Sequence, residues 1–155
     1  MATVSDLTAH TGYWMRMVSN AVSQEFSRKV AGEGVTVAEW AFMRALYDQD
    51  DTGQFHMAPS ALADRMGMTK GAISKLADRL QEKRLVGRAE NERDGRAHRL
   101  FLTVDGRAKV PVLAALADAT DADYFGVLTP EEHALLSQTL RTLAERRGIR
   151  TIPVD

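Results

Sequence analysis

The sequence predicts a mainly α-helical fold with one small β-hairpin. Three observations lead there. Six stretches repeat apolar residues every three to four positions, two short helices flank a glycine-containing turn, and two short apolar segments enclose a long polar loop. At 155 residues the chain is the size of one unit, and residues 1–155 are expected to form a single domain.

The first helix is expected from about Ser5 to Val30, because Leu7, Trp14, Val18, Val22, Phe26 and Val30 recur at helical spacing after a gap at His10. It stops near Gly32 and Gly34. Thr36 and Glu39 then form a capping box, in which each side chain serves the other residue's orphan amide. The second helix runs to about Tyr47, with Trp40, Met43, Leu46 and Tyr47 as its core face. Asp48 to Gly53 is polar and reads as a solvated loop; its carboxylates are a weak cation-site signal.

Pro59 opens a short helix without a hydroxyl cap, since Ala58 precedes it; Leu62, Ala63 and Met66 form its buried edge, and Gly67 ends it. Thr69 caps the next helix, Lys70 to about Lys83. Ile73, Leu76, Ala77 and Leu80 make its inner stripe, and Gly71, Ser74, Lys75, Asp78 and Arg79 fall on the opposite side. Glycine in a helix costs about 1 kcal/mol relative to alanine. At Gly71 it reflects either first-turn tolerance or the close approach of another backbone. Leu85–Ala89 and Arg99–Thr103 are expected as strands, with Glu90 to His98 protruding between them. A helix from Val104 to Phe125 follows, with Pro111 expected to kink it. A second capping box, Thr129 with Glu132, starts the last helix, whose apolar face is Leu135, Leu136, Leu140 and Leu143; the tail from Gly148 is expected to fray.

Charge is unevenly placed. The 20 Lys and Arg nearly balance the 21 Asp and Glu, yet Ser60–Lys109 has a net charge of +5 and each flank a net of −3. A basic middle suits a polyanion, although solvated lysines and arginines explain it equally well on charge alone. Zero cysteines exclude disulfides, thiolate zinc sites and cysteine nucleophiles. His10, His56, His98 and His133 have no paired-ligand spacing, and the chain has neither a phosphate loop after a strand nor a nucleophile elbow. No enzyme, metal or cofactor is therefore expected. No apolar run approaches ~20 residues, and no signal-like segment opens the sequence, so a cytoplasmic protein without a membrane span is expected.

The joint pattern is more specific than its parts. A helix-turn-helix is followed by a hairpin carrying Arg88, Arg93, Arg96 and Arg99, all within the basic segment. A helix exposing Ser74 and Lys75 fits a major groove, and a cationic hairpin reaches the neighbouring backbone or minor groove. This is winged-helix geometry. The alternative is a winged-helix protein-interaction module without sequence-specific DNA binding.

Asp94-Gly95-Arg96, followed by Leu100, Leu102-Thr103 and Gly106, is similar to the wing motif DxR...LTxxG of the MarR (multiple antibiotic resistance regulator) family. Leu62-Ala63 and Thr69 to Leu76 are similar to its helix-turn-helix block. The chain resembles that family from about Ser5 to Arg147. It departs from the pattern at Arg84, where a glycine is common and a left-handed backbone is expected, and at Ala58.

The resemblance implies a DNA-binding regulator, with residues 36–103 as the winged helix-turn-helix and residues 5–31 and 104–147 as dimerisation helices. By position it places Ser74 and Lys75 on base edges, and Thr69, Lys70, Gly71 and Arg79 nearer phosphates. Arg96 falls in the minor groove, oriented by Asp94, while Arg93 and Arg88 add phosphate attraction. Surplus apolar surface on the terminal helices agrees with a homodimer on a pseudo-palindromic operator. The resemblance also implies a repressor released by a small aromatic or anionic effector, for which Tyr13, Trp14, Arg16, Met17, Trp40 and Arg44 are the candidate residues; core packing is the competing role of each aromatic. The lack of cysteine disfavours the peroxide-sensing branch.

Overall fold

In the computed structural model, residues 2–48, 56–91 and 94–154 are described, with the backbone alone for residues 91 and 94–98. Among the described residues, six α-helices and one hairpin run in the order α1 (Thr11–Gly32), α2 (Val37–Asp48), α3 (Pro59–Met66), α4 (Lys70–Glu82), β1 (Val86–Asn91), β2 (Asp94–Leu102), α5 (Val104–Phe125) and α6 (Pro130–Arg147). The first helix starts later than its periodicity predicts. A 3-10 turn at Leu7–Ala9 comes first, His10 is extended, and the Trp14 indole donates to the Thr8 carbonyl at 2.8 Å across the break. The expected loop after Asp48 lies outside the described residues.

Both capping boxes form. The Glu39 amide donates to the Thr36 hydroxyl at 3.1 Å, and the Thr36 amide donates to the Glu39 carboxylate at 3.3 Å. At α6 the matching distances are 3.2 and 2.9 Å, and the hydrogen bonds from Thr129, its amide first, hold the Glu132 carboxyl below its ordinary range. On α2 the buried face is rotated from the expected one: Phe42, Met43 and Leu46 are fully buried, whereas Tyr47 is exposed and Trp40 half-buried. The core is one cluster joining Val30, Phe42, Met43, Leu46, Leu62, Met66, Ile73, Leu80, Leu100 and Leu113. Helix α6 contributes no buried residue.

The hairpin strands are longer than predicted. β1 and β2 pair antiparallel from Val86↔Leu102 to Glu90↔His98, and Asn91 then pairs with Asp94 across a register shift. Met57 adds an isolated bridge to Leu100, with mutual hydrogen bonds of 2.8 Å, which anchors the sheet to the start of α3. Arg84 is the only non-glycine residue at positive φ among the described residues, at 61°. Its carbonyl accepts from the Thr103 hydroxyl at 2.7 Å. Thr103 also caps α5, and a Cβ at Gly106 would collide with the Leu85 carbonyl oxygen, so only glycine lets α5 leave the sheet this closely.

The tail does not fray at Gly148. Gly148 caps α6 in the left-handed conformation, the chain turns back, and Ile152 and Val154 pack half-buried on the core. Thr151 lies against the turn between α3 and α4, its Cα 3.1 Å from where a Cβ of Gly67 would stand.

Candidate nucleic-acid interface

The local sequence builds a presented helix. Gly67 closes α3 in the left-handed conformation at φ 66°, and the Thr69 hydroxyl accepts from the Ala72 amide at 3.1 Å to start α4. Ile73, Leu76, Ala77 and Leu80 are buried, so the opposite side of the helix is turned outward. Thr69, Lys70, Gly71, Ser74, Lys75 and Arg79 are all exposed. Lys70, Lys75 and Arg79 make no ion pair among the described residues, which leaves three unneutralised cations near a serine on one face. A Cβ at Gly71 would meet nothing closer than the Thr69 hydroxyl at 4.0 Å, so packing within the protein makes no demand for glycine there.

The hairpin stands beside this helix. Arg99 is exposed, Leu100 and Leu102 point into the core, and the Phe101 ring stacks on His56 with centroids 5.1 Å apart. Arg88 is exposed but engaged: its guanidinium donates to Asp78 at 2.7 Å and to Gln81 at 3.2 Å, both on α4. Arg93 and the side chains of Asp94 and Arg96 lie outside the described residues.

A cavity of about 510 Å³ opens between α1, α2, α3, α5 and the tail, within the ~300–1,000 Å³ of small-molecule sites. Trp40 and Arg44 line it, with the Arg44 guanidinium 5.7 Å from the Trp40 ring centroid and paired to Asp48 at 2.7 Å. Tyr13, Trp14, Arg16 and Met17 do not reach it. They sit nearer the start of α1, where Tyr13 and Trp14 pack edge-to-face at 5.3 Å. The first helix contributes Val22, Ser23 and Phe26 instead, and Arg65 of α3 supplies a second cation. Val22 and Phe26 were visible in the sequence only as part of an apolar stripe, which is the signal of core packing. The described residues contain no cluster of metal-ligating side chains and no helix long and apolar enough to cross a membrane.

A three-helix core with a capped, outward-facing helix and an adjoining arginine-bearing hairpin defines the class, a winged helix-turn-helix protein. A model of the MarR family matches residues 33–97, which contain α2, α3, α4 and most of the hairpin. The HTH-type transcriptional repressor MdtR of Bacillus subtilis is 29% identical over 124 residues, spanning 80% of this chain and 77% of that protein. Among solved structures, AbsC, a MarR family transcriptional regulator from Streptomyces coelicolor, superposes with a TM-score of 0.77 at 22% identity, over 96% of this chain and 99% of AbsC. MepR of S. aureus, in a DNA complex, gives 0.76 at 21% identity over 88% and 98% of the two chains. Residues 33–97 thus match the MarR family model, and most of the chain is similar to regulators of that kind in sequence and in fold.

Proposed function

We propose that this protein is a sequence-specific double-stranded-DNA-binding transcriptional regulator, acting as a homodimer on a pseudo-palindromic operator. One observation carries the reading: the outer face of α4 presents Lys70, Ser74, Lys75 and Arg79, and none of its three cations has an ion pair among the described residues. Ser74 and Lys75 read base edges, while Thr69, Lys70, Gly71 and Arg79 approach phosphates. Arg96 and Arg93 of the wing reach the minor groove and the flanking backbone, with Asp94 orienting Arg96. Residues 36–103 form the reading region, and residues 5–31 and 104–147 pair two copies.

The exposed apolar side chains support pairing. Leu7, Trp14 and Val18 at one end of the chain and Leu135, Leu140 and Leu143 at the other stand open to solvent, Leu135 at 65% exposure. A second copy covering them on a two-fold would set two α4 helices about 34 Å apart, one turn of DNA. The name of MdtR supports repression. The cavity beside Trp40, Arg44 and Arg65 is the effector site we assign, suited to a small aromatic or anionic molecule by its ring and its cations.

Selection of bound DNA from a random duplex pool tests the reading and yields half-site and spacing together. The expected result is one two-fold-related sequence whose binding falls steeply with added salt. Recovery of no preferred sequence would overturn it in favour of a protein-interaction role. A monomer in size-exclusion chromatography at micromolar concentration would overturn the dimer.

A further inference from the structure

Lys83 ends the recognition helix but does not join its outer face. It lies three residues beyond Leu80 and seven beyond Leu76, on the side of the inner stripe, and although the residue is itself exposed its side chain turns back to the protein. Its ammonium donates to the Glu39 carboxylate at 2.7 Å and to the Gly34 carbonyl at 2.8 Å. Glu39 is only 1% exposed, and the same carboxylate oxygen that receives Lys83 accepts from the Thr36 amide. The C-terminal end of α4 is thus fastened to the turn where α1 stops and α2 begins. Lys109 of α5 grips that turn from another side, donating to the Glu33 carbonyl at 3.1 Å and to its carboxylate at 3.3 Å.

We infer that Lys83 is a positioning residue which, through Glu39, fixes the recognition helix to the end of the pairing helix α1 and so sets the half-site spacing a dimer accepts. The inference rests on the DNA-binding dimer reading above. Two of the three ammonium donors are already satisfied inside the protein, so Lys83 adds reach and orientation instead of a phosphate contact. Its partner Glu39 is a buried carboxylate that needs a cation. The spacing between the two helices of a dimer passes through α1 and then through this joint.

The test uses the full-length protein and its selected operator, rebuilt with the half-sites moved apart or together one base pair at a time. Because removing one partner alone leaves a buried group unpaired, the variant is the double Lys83→Met/Glu39→Gln, in which the amide still accepts from Thr36; Lys83→Arg is the conservative control. The double variant is expected to lose about tenfold of the wild-type discrimination between the best spacing and its one-base-pair neighbours, the scale of one misplaced groove contact. Its salt slope is expected to stay unchanged, and Lys83→Arg to retain most of the discrimination. A uniform loss across spacings with a slope lower by about one would mark Lys83 as a phosphate contact and overturn the inference. So would a spacing profile identical to wild type. A double variant that does not fold moves the decision to Lys83→Gln, judged on the same profile and slope. Wild-type protein that binds no duplex overturns the DNA-binding reading itself, a result separate from the others.

Discussion

Arg88 and Asp78 hold each other at 2.7 Å, a β1 guanidinium on a carboxylate of α4. Arg88, which the family resemblance implies adds phosphate attraction, here bridges β1 and α4, and the Gln81 amide oxygen completes the bridge at 3.2 Å. Asp78 is the awkward group on that face, since a bare carboxylate there would repel the DNA backbone.

Masking of Asp78 predicts a sign pattern. Arg88→Gln is expected to weaken operator binding by roughly 1 kcal/mol, the upper range for one partly exposed charge, and adding Asp78→Asn is expected to restore it. Dissociation constants at matched salt for the two single variants and the double variant decide this. If Arg88 instead touches phosphate, the double variant remains as weak as Arg88→Gln.

Arg96 lies within the motif at the hairpin end. Arg96→Ala is expected to cost roughly 1–3 kcal/mol of operator affinity, the size of one good groove contact, with folding unchanged. Unaltered affinity in a titration at the same ionic strength would remove Arg96 from the interface.

Arg84 holds a left-handed backbone at φ 61°. Arg84→Gly relieves that conformation and is expected to raise stability by about 1 kcal/mol, part of the gain being lost to the freer unfolded chain. The unfolding midpoint in urea reads this directly, and a lower midpoint contradicts it.

Gly106 has no room for a methyl group, because a Cβ would meet the Leu85 carbonyl oxygen. Gly106→Ala is expected to destabilise the fold by roughly 1–3 kcal/mol as α5 is pushed from the sheet. Thermal unfolding unchanged from wild type would show that α5 shifts at no cost.

Much of this was legible locally. Thr36 with Glu39, Thr129 with Glu132, and the Ile73 to Leu80 stripe each declare a helix within a few residues, and the left-handed Arg84 follows from its place after a helix. The pairs that span the chain left no such trace. Met57 with Leu100 is a single bridge with no period; Glu39 with Lys83 is 44 residues apart. Val22 and Phe26 read equally well as core, and Tyr47 gives its inward place to Phe42 because α2 rotates to pack on its neighbours. Such contacts depend on which helix faces which, a property of assembly that no short window contains.

The returning tail offers a handle. Ile152 and Pro153 form part of the cavity wall while Thr151 touches the turn at Gly67, so one short segment adjoins both the pocket and the α3–α4 turn. The chain has no cysteine of its own. A single cysteine introduced at Val154 would therefore take a fluorophore at one known place, next to the residues of the cavity wall and off the outer face of α4.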